Sequence, residues 1–147
     1  MDDLQELVEL VGQDLPPSPW FAVSQERIDQ FADATDDHQW IHADGPESAA
    51  GPYGGAIAHG YLVLALLAPL WPTVLPPVPV SRMLNYGLNR VRFTDPVPAG
   101  SLVRLQARLR SAEPIPGGLQ IALDAAVERQ GSSKPVVVAE PIYRLYA

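Results

Sequence analysis

Apolar and polar positions alternate along the second half of the chain. In "LVRLQARLR", residues 102–110, Val103, Leu105, Ala107 and Leu109 fall on one side of an extended backbone, and Arg104, Gln106, Arg108 and Arg110 fall on the other. A period of two marks a strand with one buried face. Three more segments, "SRMLNYGLNRVRF", "GLQIALDAAVERQ" and "KPVVVAEPIYRLYA", have the same β-rich character, and residues 114–118 and 131–134 supply turns between neighbours. The pattern predicts a meander of four long strands, with "WFAV" a short additional one.

The first half reads with helical spacing. "DDLQELVELVG" sets Leu4, Leu7, Val8 and Val11 on one stripe, with acidic residues leading and Gly12 closing, so an amphipathic helix is expected within residues 1–14. Prolines follow at once, so this helix is expected to be an appendage lying on the main body. Ser24 is placed to cap "QERIDQFADAT", in which Ile28, Phe31 and Ala32 form the apolar stripe and Glu26 suits the first turn. In "GPYGGAIAHGYLVLALLAPLW", glycines at 51, 54 and 55 lead into a helix predicted over residues 56–70, apolar on nearly every side. Strands that bury one face need an apolar partner, and this helix is the only element greasy enough. The expected architecture is α+β, an antiparallel sheet wrapped around one long central apolar helix, with residues 1–147 as a single domain.

Composition narrows the function classes. The 147 residues, 47% apolar and 18% charged, suit one soluble globular domain. Sixteen prolines punctuate the ends of periodic segments. The chain has no cysteine, which excludes disulfides, thiolate nucleophiles and cysteine-ligated metal centres. The net charge of −7 is uneven: residues 1–60 hold twelve Asp/Glu and one Arg (−11), residues 61–147 five Asp/Glu and nine Lys/Arg (+4). An acidic protein has no long-range field drawing it to nucleic acid, so no such partner is expected. Most of Arg82, Arg90, Arg92, Arg104, Arg108 and Arg110 are expected on the wet faces of strands. "MDDLQELVEL" lacks the basic start of a secretory signal, and "YLVLALLAPLWPTVL" falls short of the ~20 apolar residues of a spanning helix and carries Pro69 and Pro72. No membrane partner and a cytoplasmic location are expected.

The candidate chemistry crowds into "TDDHQWIHADGP", residues 35–46, with three carboxylates and two of the chain's three histidines. His38 and His42, four apart, with Asp36, Asp37 or Asp44, admit a metal reading. The absence of an HExxH pattern and of cysteine weighs against it, and no metal is expected. Asp37 and His42 instead admit an acid/base pair, turned inward by a loop that Trp40 and Ile41 anchor. A solvated polar loop is the third reading. Downstream, "GGAIAHG" places a helix start whose free N–H groups and positive end suit an oxyanion or thioester carbonyl. Gly60 is the pointed choice there, since its bare N–H can approach a substrate oxygen; His59 either ties down the loop or reacts.

"FADATDDHQWIHAD" followed by "GPYGGAIAHGYL" resembles the signature of the MaoC-like dehydratases, the R-specific enoyl-CoA hydratases, whose motif runs roughly D-x-N-P-x-H before a G-x-I-x-H-G helix start. "NYGLNRVRFTDPVPAGS" is similar to the nodulation-protein-N-like branch of that family, and the resemblance runs from Trp20 to the C-terminus. It implies a hot-dog fold, usually a homodimer with active sites near the interface. It also implies reversible syn addition of water to a trans-2-enoyl-CoA or enoyl-carrier-protein thioester, giving the (R)-3-hydroxyacyl product. On this match Asp37 and His42 are the catalytic pair and the N–H of Gly60 is the oxyanion donor. Gln39, Trp40, Gly55, Ala58 and His59 would line the substrate, and no cofactor is needed; Arg90 and Arg92 are candidates for its phosphates from their position alone. The chain departs from the pattern at Gln39 and Trp40, where the family often has Asn and Pro, and at Gly45, where proline commonly follows the aspartate. A hot-dog thioesterase and a non-catalytic acyl-thioester-binding protein are the alternatives.

Overall fold

The structure is a computed structural model that describes residues 3–147. The expected strands form as β1 (Phe21–Val23), β2 (Arg82–Phe93), β3 (Ser101–Ile115), β4 (Gly118–Arg129) and β5 (Pro135–Tyr146). They make one antiparallel five-stranded sheet in the order β1-β3-β4-β5-β2, so only β3, β4 and β5 form the expected meander, and β2 pairs with the far side of β5 instead of with β3. The alternation sets its two faces. Val103, Leu105 and Leu109 of β3 are fully buried beside Leu119, Ile121 and Leu123 of β4, and Ala107, Ala125 and Ala139 lie in register across three strands. On the opposite face Arg104 pairs with Glu128, and Arg110 with Asp124 and Glu140. These arginines are therefore on the wet side, as the pattern predicts. The β3–β4 turn closes on Gly117, whose φ of 77° favours a residue without a Cβ.

Helix α1 (Gln25–Thr35) starts where predicted, with the Ser24 hydroxyl accepting the Arg27 N–H at 3.1 Å. It ends at Asp36, which takes the left-handed conformation (φ 58°) and turns the chain sharply. After a single 3₁₀ turn at Trp40–His42 comes α2 (Pro46–Ala49). Gly45 ahead of α2 is extended, and Pro46 opens the helix.

The central helix differs from the expectation in three ways. It begins four residues late, because residues 56–58 are extended: Ile57 N–H donates to the Ile41 carbonyl (2.9 Å), Ala58 N–H to that of Val97 (2.8 Å), and Ala99 N–H to that of Ala56 (2.9 Å). It is divided into α3 (Gly60–Ala65) and α4 (Leu67–Val74). Pro69 explains the break, since it has no N–H for the Ala65 carbonyl and its ring crowds that carbonyl. Finally, it is not enclosed on every side: Leu62, Val63, Leu66, Leu67, Leu70, Trp71 and Val74 face the sheet, whereas Tyr61 is 71% exposed. The sheet curls around this helical pair in the hot-dog arrangement.

The N-terminal helix is 3₁₀ rather than α, spanning Leu4–Leu10, with Asp3 and Glu6 closing a capping box. It is more than an external appendage, because Leu4 and Leu7 are buried in the core cluster. The chain beyond it covers β3 where β1 is too short to reach, with Gly12, Leu15 and Ser18 donating to the carbonyls of Leu109, Ala107 and Leu105. The opposite sheet edge, β2, is largely exposed. No described helix is long and apolar enough to cross a membrane.

Candidate active site

Three chain segments converge beside the start of α3: the turn after α1, the 3₁₀ turn, and the extended residues 56–59. They bring together Asp37, His42 and His59, one side-chain N or O atom of each lying within 4.8 Å of the others. His42 is 8% exposed and its Nδ1 sits 2.8 Å from the Ile57 carbonyl oxygen. A carbonyl only accepts, so Nδ1 carries the proton and the Nε2 lone pair is left free. The backbone at His42 is tied as well, with its carbonyl accepting from the Gln25 side-chain amide at 2.9 Å. His59 is 2% exposed, stacked on the His42 ring at 3.7 Å between centroids, with Phe31 4.9 Å away. Its Nε2 lies 3.0 Å from the Asp37 main-chain oxygen and 4.0 Å from Asp37 Oδ2. The Asp37 carboxylate remains partly open to solvent.

This geometry suits a water molecule better than a metal ion. Two hydrogen bonds of ~2.8 Å let one water bridge groups up to about 5.5 Å apart, so a carboxylate and an imidazole within 4.8 Å can share it. The ring planes of His42 and His59 are only 22° apart. Their lone pairs thus lie in two stacked, nearly parallel planes, whereas two imidazoles on one tetrahedral ion must both contain the ion in their ring planes.

Gly60 opens α3, so its N–H has no partner within the helix and lies at the positive end. A Cβ built on Gly60 would come 2.8 Å from the Phe93 ring. A pocket of 330 Å³ lies against it, lined by Ile57, Ala58, Tyr53, Phe93 and Val97 among others.

The other candidates are placed unevenly. Gln39 precedes the 3₁₀ turn, its carbonyl accepting the His42 N–H. Trp40 packs its ring on the Cα of Gly51, where a Cβ would come within 2.8 Å, and so braces the 3₁₀ turn against the following loop. Gly55 is half-buried in the stretch leading to residues 56–58. The Ala58 N–H is already given to Val97 and is not free for a ligand. Arg90 lies on the outer sheet face with Asn89, Arg110 and Glu140, at a bulge where its φ is 50°. Arg92 pairs with Val138 and donates from Nη1 to the Val91 carbonyl (2.7 Å). Neither arginine is brought to the histidine cluster of its own chain. His38 faces the surface, 3.6 Å from Asp33, which separates it from His42 and dissolves the i, i+4 metal pair.

Two contributors escaped the sequence reading. The Ile57 carbonyl orients His42, and a main-chain oxygen leaves no trace in residue identity. Phe93, which walls Gly60, lies 33 positions away and meets it only through the β2–β5 register.

A curled antiparallel sheet around a helix defines a hot-dog protein, and in this one a carboxylate and an imidazole are held beside that helix's first N–H. The MaoC like domain model matches residues 6–117, and the chain belongs to the MaoC-like dehydratase family. It is 44% identical over 147 residues to 3-hydroxyacyl-thioester dehydratase Z of Mycobacterium tuberculosis, covering 99% of this chain and 97% of that one. It is 43% identical to Nodulation protein N of Rhizobium meliloti, over 92% of this chain and 86% of the relative. Among solved structures, an R-hydratase from Pseudomonas aeruginosa superposes with a TM-score of 0.74 at 25% identity, covering 92% of this chain and 81% of that one.

Proposed function

We propose that this protein catalyses the reversible addition of water across the double bond of a trans-2-enoyl thioester, borne by CoA or by an acyl carrier protein, to give the (R)-3-hydroxyacyl thioester. The observation that carries this reading is the Asp37–His42 pair within reach of one water, with His42 Nε2 free because Ile57 holds Nδ1. Asp37 orients the water and His42 Nε2 takes its proton as the oxygen bonds to C3. The C2=C3 electrons move onto the thioester carbonyl, where the Gly60 N–H stabilises the enolate oxygen. Collapse of the enolate draws a proton from the pair to C2, so the net addition is H and OH. Both arrive from the side on which the pair stands, which makes the addition syn. The thioester is its own electron sink, so the reaction needs no cofactor. The (R) hand and the thioester class rest on the named relatives.

The test is hydration of crotonyl-CoA, followed by loss of the conjugated enoyl absorbance, with a thiol reagent in a parallel assay. Asp37→Asn and His42→Ala are each expected to lower kcat/KM by about 10²- to 10⁴-fold. Near-full turnover in both variants would overturn the roles, and thiol release without hydration would make the protein a thioesterase.

We also propose that the working form is a homodimer joined through β2. That strand is at the sheet edge and exposes Met83, Leu84, Tyr86, Leu88 and Phe93. An open apolar edge of this length is a template for a second strand, and a second copy under two-fold symmetry supplies one.

A further inference from the structure

His59 performs no step in the reaction proposed above, yet it is the most enclosed polar residue of the site, 2% exposed. Its surroundings are unusual for a side chain that merely fills space. Its Nδ1 is buried with no hydrogen-bond partner, which destabilises a fold that an apolar side chain would have left intact. What the imidazole contributes in exchange is at its other end and on its face. Nε2 reaches the Asp37 main-chain oxygen at 3.0 Å, across 22 positions of sequence, and the ring covers one face of His42 at 3.7 Å.

We infer that His59 is a positioning residue that fixes Asp37 and His42 relative to one another by adopting the tautomer opposite to that of His42. The Asp37 oxygen is a carbonyl, so His59 Nε2 must carry the proton that it donates. Its Nδ1 then stays bare, because an N–H there would be a buried donor without an acceptor. His42 is the reverse, with Nδ1–H on the Ile57 carbonyl and Nε2 free. Two carbonyls thus set two stacked rings in opposite senses, one exposing a lone pair for the water and the other spending its proton on the backbone.

The mechanical consequence follows from the local structure. Asp37 comes directly after the left-handed turn at Asp36, beyond the end of α1, where the helix no longer constrains the chain. His59 ties that turn to the residue preceding α3, so Asp37, His42 and the Gly60 N–H share one anchor. Without it, Asp37 is free to move with its turn and the His42 ring loses the neighbour that keeps it from tilting. Displacements of about 1 Å in such a constellation cost on the order of 10²-fold in rate.

The inference rests on the hydratase reading for its kinetic arm only. Three variants separate positioning from packing: His59→Leu removes both nitrogens, His59→Gln returns an N–H near the Nε2 position, and His59→Asn returns one too short to reach Asp37. With crotonyl-CoA, His59→Leu is expected to lower kcat about 10²-fold with little change in KM, His59→Gln to recover about tenfold of that, and His59→Asn to recover nothing. Melting curves establish which variants are folded. If folded His59→Gln is no faster than His59→Leu, or if the loss falls on KM alone, the positioning role is wrong. Independently of activity, long-range ¹H–¹⁵N spectra of the unsubstituted protein should show His59 as the Nε2–H tautomer and His42 as the Nδ1–H tautomer. The same tautomer on both rings overturns the inference even where crotonyl-CoA is hydrated. Opposite tautomers in a protein that hydrates no enoyl-CoA would uphold it while the proposed reaction falls.

Discussion

Gly60 has no room for a side chain, since a Cβ there would come 2.8 Å from the Phe93 ring. The sequence pointed to this glycine for another reason, the approach of its N–H to a substrate oxygen, and both demands fall on one residue. Gly60→Ala must push Phe93 aside. That ring is 46% exposed and can yield, so the fold is expected to survive while the oxyanion position is disturbed. The expected result is a fall in crotonyl-CoA turnover of about 10²-fold, with partial recovery when Phe93→Leu is added. A fully active Gly60→Ala enzyme would show that Phe93 yields without moving the main-chain N–H, which alanine retains, and would refute the expectation that this methyl disturbs the oxyanion position. At this scale the sequence groups Asp37, His42, His59 and Gly60 within 24 residues, and the structure brings the aspartate and both histidines together beside the start of α3. The sequence did not reveal which atom of each is free, because the Ile57 and Asp37 carbonyls that decide this are main-chain groups.

Among the elements, the strands were legible almost to their ends. A period of two reports directly on a backbone that buries every other residue. The central helix was not, since "AIAH" is as apolar as the helix it precedes, and only its pairing with Ile41 and Val97 makes it extended. The packing of α4 on β5 carries a prediction of its own. Trp71 stacks on Tyr143 at 4.1 Å with planes 13° apart, and burial pushes the Tyr143 hydroxyl well above its ordinary pKa of 10. Above pH ~10 the unfolded chain loses this proton while the folded protein keeps it, so this contribution to stability is full below pH ~10 and falls as pH rises toward the folded value. Urea melts between pH 9 and 11.5 should show the decline, and Tyr143→Phe should flatten it. An unchanged slope in the variant would show that α4–β5 packing does not impose the shift.

For the whole molecule the decisive feature is the open edge at β2. Leu88→Lys, on that strand and outside the histidine cluster, is expected to convert a species of twice 15.9 kDa into one of 15.9 kDa in light scattering after gel filtration. A wild-type protein that elutes as a monomer would refute the β2 dimer outright. The arginines also belong to this scale. Arg90 and Arg92 were candidates for phosphate contact from position in the sequence alone; Arg90 stands in the bulge between Asn89 and Arg92, near Glu140 on the outer face of the sheet, and Arg92 is in register with Val138. Local pattern determined the strands, α1 with its cap, the apolar character of the central segment, and the spacing that groups an aspartate, two histidines and a glycine. Those properties depend on neighbours within a few residues, so the chain states them directly. Tertiary structure decided where the central helix begins and breaks, which tautomer each histidine takes, which acidic partners the arginines meet and which sheet edge stays open, since each depends on a partner distant in the chain.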